Sequence, residues 1–174
     1  MMLTDKQMQD ILDDMTIIVD TREKKNDHIL KYLTDNKIPY IIKKLDIADY
    51  SFELPNYPQL NVDRQFLVEK KNSLDEIVGN FTKDRERFAR EFERVTNEKI
   101  HLVIETATWR KLLNGSYRSK FPPKSFMASL MTFAIRYNLK VWFAETKESP
   151  TIIYNLLRYE LFEHLKELRK QEEK

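Results

Sequence analysis

The sequence predicts an α/β fold in which helices flank a central mixed sheet. Three observations carry this. Short β-branched or apolar runs alternate along the chain with segments of helical periodicity. At 174 residues, with no internal repeat and no long linker, the chain suits one domain around one core. Hydrophobic content of 41% and aromatic content of 11% exclude a disordered chain.

The elements follow in order. Residues 4–15 place Met8, Ile11, Leu12 and Met15 on one side of a short helix, a lid on the core. Residues 16–20 form a β-branched run ending in Asp20, which reads as a buried central strand. Thr21, Arg22 and Glu23 follow directly, then a helix over 26–36 with Ile29, Leu30 and Leu33 inward. Strands are predicted over 39–45 and 47–54, the second with Asp49, Ser51 and Glu53 on one face. Pro55-Asn56-Tyr57-Pro58 is a turn signal before a strand over 65–70. Ser73, with Glu76 three residues on, opens a helix. Gly79-Asn80 predicts a break before a longer helix over 82–97, on which Arg85, Phe88 and Phe92 share a face.

A buried strand is predicted over 100–105, and a short helix from Thr108 to a stop at Asn114-Gly115. Residues 116–124 interleave Arg118, Lys120 and Lys124 with Tyr117 and Phe121 in a proline-terminated loop. That composition suits contact with phosphate and exposed bases, or a plain connector. A helix over 125–137 turns Phe126, Leu130, Phe133 and Ala134 inward, and a last strand runs over 139–144. The final helix, about 150–171, is apolar at Ile152, Ile153, Leu156, Leu157, Leu161 and Leu165 and adds Tyr154, Tyr159 and Phe162. This is more than one side of a helix needs, so part of it is expected to face a second copy of the chain.

Composition narrows the chemistry. Without cysteine there are no disulfides, no thiolate metal sites and no cysteine nucleophile. His28, His101 and His164 are too scattered for a local zinc site, so a metal would be held by oxygens, which favours Mg2+ or Mn2+. There is no apolar run long enough for a membrane and no signal-peptide core, so an intracellular chain is expected. Net charge is +2, yet residues 106–144 hold no Asp or Glu while carrying Arg110, Lys111, Arg118, Lys120, Lys124, Arg136 and Lys140. Such a division suits a cation in one part and a polyanion on the other.

The segment Phe66-Leu67-Val68-Glu69-Lys70-Lys71-Asn72-Ser73-Leu74-Asp75 concentrates the chemistry. Strand alternation puts Glu69 and Lys71 on one face and Lys70 on the other. A carboxylate beside an ammonium suits metal-assisted attack on phosphate; an ordinary ion pair at a strand end is the competing reading.

Three linked motifs decide between them. Val19-Asp20-Thr21-Arg22-Glu23, Ala48-Asp49-Tyr50 and Glu69-Lys70-Lys71-Asn72-Ser73-Leu74-Asp75 resemble, in order and rough spacing, the V-D-x-R-E, G-D-Y and E-R-K-x-x-x-D motifs of the XPF-type structure-specific endonuclease domain. That domain belongs to the restriction-endonuclease-like PD-(D/E)xK superfamily. The resemblance covers about residues 16–144 and implies a three-layer nuclease core acting on branched or flapped DNA. It implies Asp49, Glu69 and Asp20 as metal ligands, with a backbone carbonyl at Lys70. Lys71 would activate or orient water, Glu23 would complete the acidic pocket, and Asp75 would lie just behind it or add a ligand. Arg22 would brace the pocket or touch a phosphate. Arg85, with Arg118, Lys120 and Lys124, would contact DNA. Ala48 stands where the family has Gly, a change expected to be tolerated if the backbone there is ordinary. Lys70 stands where the family has Arg.

With only Gly79 and Gly115, the sequence offers no helix-hairpin-helix module. Junction specificity is then expected from the nuclease domain itself, from a homodimer or from a separate protein partner, as suits a small prokaryotic or viral genome. A catalytically silent DNA-binding scaffold is the main alternative, and a related repair nuclease or exonuclease the next. The intact acidic set argues against the scaffold.

Overall fold

The computed structural model describes residues 3–95 and 98–172. Its chain divides into two compact units, one of residues 1–67 and 150–174 and the other of residues 68–149. Six strands form a sheet in the order β2-β1-β3-β4-β5-β6. Parallel and antiparallel pairs coexist in it. The expected class, an α/β fold with a mixed sheet flanked by helices, is the one observed.

In the first unit, α1 (Asp5–Asp13) starts at a capping box between Thr4 and Gln7 and buries Met8, Ile11 and Leu12. Strand β1 (Thr16–Val19) is buried along Ile17, Ile18 and Val19. It pairs in parallel with β2 (Tyr40–Ile42) and antiparallel with β3 (Tyr50–Glu53). Between β1 and β2 lies α2 (Asp27–Asp35), which buries Ile29 and Leu33. Strands β2 and β3 are shorter than the sequence suggests, because residues 43–49 run as irregular backbone and bends. Ala48 takes part in that departure with φ 68°, a left-handed conformation that glycine adopts without strain. The backbone at Ala48 is therefore not ordinary, contrary to the condition on which its tolerance was expected.

Helix α7 (Ser149–Glu172) lies in the first unit apart from its first residue. Its line Ile153, Leu157, Leu161 and Leu165 is buried, while Ile152, Tyr154, Leu156 and Phe162 are half-buried. Of the apolar surplus expected to face a second copy, Tyr159 alone is exposed. Arg158 donates to the Leu12 carbonyl at 2.8 Å and to Asp13 at 3.0 Å, so it closes the C-terminal end of α1.

Strand β4 (Phe66–Lys71) is buried at all six positions. It runs into α3 (Leu74–Phe81), capped by Ser73 accepting from the Glu76 N–H at 3.2 Å. The break expected at Gly79-Asn80 does not occur there. Ile77, Val78 and Phe81 are buried together, and burying Phe81 outweighs the roughly 1 kcal/mol cost of a helical glycine. The helix stops at Thr82, whose hydroxyl donates back to the Val78 carbonyl at 2.9 Å.

Helix α4 (Arg85–Glu93) is shorter than the expected 82–97, whose residues 96 and 97 lie outside the described set. Strand β5 (Lys99–Glu105) pairs in parallel with β6 (Lys140–Ala144). Between them are α5 (Trp109–Leu113), capped by Thr108, and α6 (Pro123–Arg136), which starts on Pro123. An aromatic cluster joins α3, α4 and α6: Phe88 stacks on Phe133 at 4.8 Å, and Phe81 meets Phe133 at 5.5 Å. Each such pair adds about 0.5–1.5 kcal/mol beyond its buried area.

Candidate active site

In the first unit the antiparallel register of β1 with β3 ends at Val19 and Tyr50, so Asp20 and Asp49 come opposite one another. The Asp20 N–H donates to the Asp49 carbonyl at 2.8 Å. Asp20 is 1% exposed. Its Oδ1 accepts from the Arg22 backbone N–H at 2.8 Å and from Arg22 Nε at 2.7 Å. Its Oδ2 accepts from the Leu45 N–H at 2.6 Å and from an Arg22 terminal nitrogen at 3.1 Å. The same guanidinium reaches the Leu45 carbonyl at 2.8 Å. Burial alone would push the Asp20 carboxyl up, but the bonds from Arg22 and Leu45 outweigh it and hold the group below the usual carboxylate value. Glu23 and Asp49 are half-buried. The Glu23 N–H donates to the Asp20 carbonyl at 3.2 Å, and its carboxylate accepts from the Lys25 N–H.

In the second unit Glu69 and Lys71 share a face of β4, as parity requires. Lys71 Nζ lies 2.7 Å from Glu69 Oε1, and each side chain is 10% exposed. The ammonium also sits 5.1 Å from the centroid of Phe88, a cation–π contact that holds it from a second side. Lys70 points the other way, is 2% exposed, and donates to Asn72 Oδ1 at 2.6 Å. From α4, then, Phe88 meets Lys71, while Arg85 is exposed. Beside it, Arg87 pairs with Asp84 at 3.2 Å.

Asp75 stands in the first turn of α3 and accepts the backbone N–H groups of Arg118 and Ser119, each at 3.0 Å. Arg118, Lys120 and Lys124 are exposed. Sequence reasoning did not single out Phe88 or Asn72 for the site. For Phe88 a signal existed, since it follows Arg85 by three residues on one helix face; for Asn72, its parity with Lys70 was the clue.

Among the described residues no three acidic or imidazole side chains cluster as a ready-made cation site. The donor chemistry still fits a hard divalent ion. Mg2+ typically takes one or two protein carboxylates and completes its shell with water and substrate phosphate.

The sequence pattern of the ERCC4 domain matches residues 19–156, which include all three motifs. The chain belongs to the ERCC4-domain family. That family is one of structure-specific DNA nucleases. A solved structure of XPF from Aeropyrum pernix shares the fold, with a TM-score of 0.61 and 20% sequence identity over 83% of this chain and 61% of that one. A second structure, XPF from Aeropyrum pernix in complex with DNA, matches equally well and is covered over 64% of its length. The chain thus spans less than two thirds of the XPF chains it matches. None of the curated proteins matches the sequence.

Proposed function

We propose that this ERCC4-family chain is an endonuclease, dependent on Mg2+ or Mn2+, that hydrolyses phosphodiester bonds in branched or flapped DNA. The observation that carries the reading is the buried Glu69–Lys71 pair, 2.7 Å apart on one strand face within the matched domain. Asp49 and Glu69, helped by the Lys70 carbonyl, would hold the cation; joining Asp49 to Glu69 rests on the order of the three sequence motifs. When bound, the ion supplies charge neutralisation and polarisation of the scissile phosphate.

The chain's own residues do the rest. Glu69 and the Phe88 ring hold the Lys71 ammonium at a fixed place, where its N–H groups orient water or a phosphate oxygen. Asp20 acts chiefly through others: it fixes Arg22, and its backbone N–H fixes the peptide of Asp49. Glu23 adds negative charge beside them. Arg85, Arg118, Lys120 and Lys124 supply phosphate contacts, and the structural likeness to XPF in complex with DNA supports DNA as the ligand.

Homodimerisation and a separate junction-reading partner belong to the same proposal. Support for the dimer now comes from the exposed apolar side chains Trp109, Leu113, Met131, Ile135 and Trp142 rather than from α7. A monomer by sedimentation at micromolar concentration would remove it.

A cleavage panel of flap, fork, four-way junction and linear duplex with Mg2+ tests the activity. Nicks are expected in branched substrates. Glu69→Ala and Asp49→Asn should each lower the rate by more than about 10²-fold, the top of the range for groups that only support a metal's ligands. Cleavage that survives both substitutions sinks the reading.

A further inference from the structure

Residues 115–123 form a tied loop. Gly115 has φ +67°, and a Cβ there would sit 3.3 Å from Pro123 Cγ, so the turn needs glycine. The Tyr117 hydroxyl donates to the Phe121 carbonyl at 2.6 Å, and Ser119 Oγ accepts from the Phe121 N–H at 3.1 Å. The Tyr117 and Phe121 rings pack on Phe126 at 5.3 and 5.9 Å. The tip is then held from outside by the Asp75 carboxylate, which accepts the Arg118 and Ser119 N–H groups. Burial and the nearby Asp75 charge push the Tyr117 hydroxyl up, in keeping with this closeness.

The cations of this loop, and Lys124 in the first turn of α6 just after it, are left unneutralised. No Asp or Glu occurs from 106 to 144. Among the described residues Arg118, Lys120 and Lys124 make no ion pair, and all three are exposed. Asp75, the acid that touches the loop, aims its charge at backbone amides rather than at these side chains. It also stands four residues after Lys71, on the helix that β4 feeds directly.

We propose that Asp75 is a positioning residue: its carboxylate pegs the cationic loop to the segment bearing Glu69 and Lys71, so that Arg118, Lys120 and Lys124 meet a phosphodiester backbone at a fixed distance from that pair. The inference rests on the nuclease reading and changes one part of it, since Asp75 then serves the polyanion and not the metal. A pre-ordered loop spares the side-chain ordering cost of binding.

The test compares wild type, Asp75→Ala, Asp75→Asn and the triple variant Arg118→Ala/Lys120→Ala/Lys124→Ala. Forked DNA is bound in EDTA and followed by anisotropy across salt concentrations. The triple variant should lower the slope of log affinity against log salt by about 2.7, that is 0.9 for each of three phosphate contacts. Asp75→Ala should weaken metal-free binding about tenfold through the freed loop. It should also speed hydrogen exchange at the Arg118 and Ser119 amides and leave the Mg2+ half-saturation of cleavage in place. Asp75→Asn, which keeps an oxygen acceptor, should recover part of the affinity.

An Asp75→Ala protein that binds DNA in EDTA like wild type, or that needs more Mg2+ while its loop amides stay protected, overturns the peg. If wild type nicks no DNA but Asp75→Ala still frees the amides and weakens binding, the nuclease reading falls and the peg stands.

Discussion

Two pairs in this molecule share a spacing and differ in use. Asp20 with Arg22, and Glu69 with Lys71, each set a buried carboxylate two residues before a cation. The first pair follows the end of β1, where the backbone leaves the ladder. There the cation is 59% exposed, curls back in a two-pronged contact, and shares the carboxylate with two backbone N–H groups. The second pair lies within a strand, where alternation brings the two side chains side by side with 10% exposure each. A turn makes a clamp of the motif. A strand makes it a pair of charges held ready with little water. The same i, i+2 spacing therefore says nothing about role until the backbone beneath it is known.

The comparison breaks most visibly on stability. Lys71→Met leaves the Glu69 charge buried without its ammonium, and should cost about 3 kcal/mol, the low end for breaking a buried pair. Arg22→Ala should cost only about 1 kcal/mol, because the guanidinium is largely solvated and Asp20 keeps its backbone donors. Urea denaturation of both proteins checks this. Equal losses would mean that the two pairs are one kind of interaction after all.

A smaller effect concerns pH. The Asp20 value is lowered on folding, so the unfolded chain binds the proton more readily and stability rises with pH through this group. Its contribution is present above the ordinary carboxylate value of about 3.9 and is lost as pH falls through the folded value. The stability of Asp20→Asn should then fall less steeply than that of wild type on acidification below about pH 4. Parallel slopes would place the strength of the clamp elsewhere.

The smallest effect sharpens the clamp's surroundings. Ala48→Gly relieves about 1–2 kcal/mol of left-handed strain. It also gives up about 0.8 kcal/mol for a buried methyl and about 0.4–1 kcal/mol of unfolded-state entropy. The terms nearly cancel, so a change within about 0.5 kcal/mol is expected by thermal melting. A larger gain would show that strain dominates and that alanine sits there at a real cost.

Much of this was legible in advance. Among the described residues periodicity located each α-helix and strand to within a few residues, though not the short 3-10 turn at Pro58–Leu60, and parity separated Lys71 from Lys70. The misses share a cause. The helix break expected at Gly79 gave way to Phe81, whose burial a local reading cannot weigh. Most of the apolar surplus of α7 is buried or half-buried, in a compact unit that joins it to residues distant in sequence. Lys71's contact with the Phe88 ring depends on how α4 lies, which local sequence leaves open.

By itself the sequence determined the class of fold, the family motifs and the shared face of Glu69 and Lys71 on β4, because alternation and helical period are local properties of the chain; Asp20 and Asp49 lie just outside their strands, where alternation does not reach. Only the tertiary structure decided what each carboxylate touches. Asp20 accepts an N–H from Leu45, 25 residues on, and Asp75 accepts one from Arg118, 43 residues on. A carboxylate's role follows from which donors reach it, and those donors arrive through folding rather than through spacing.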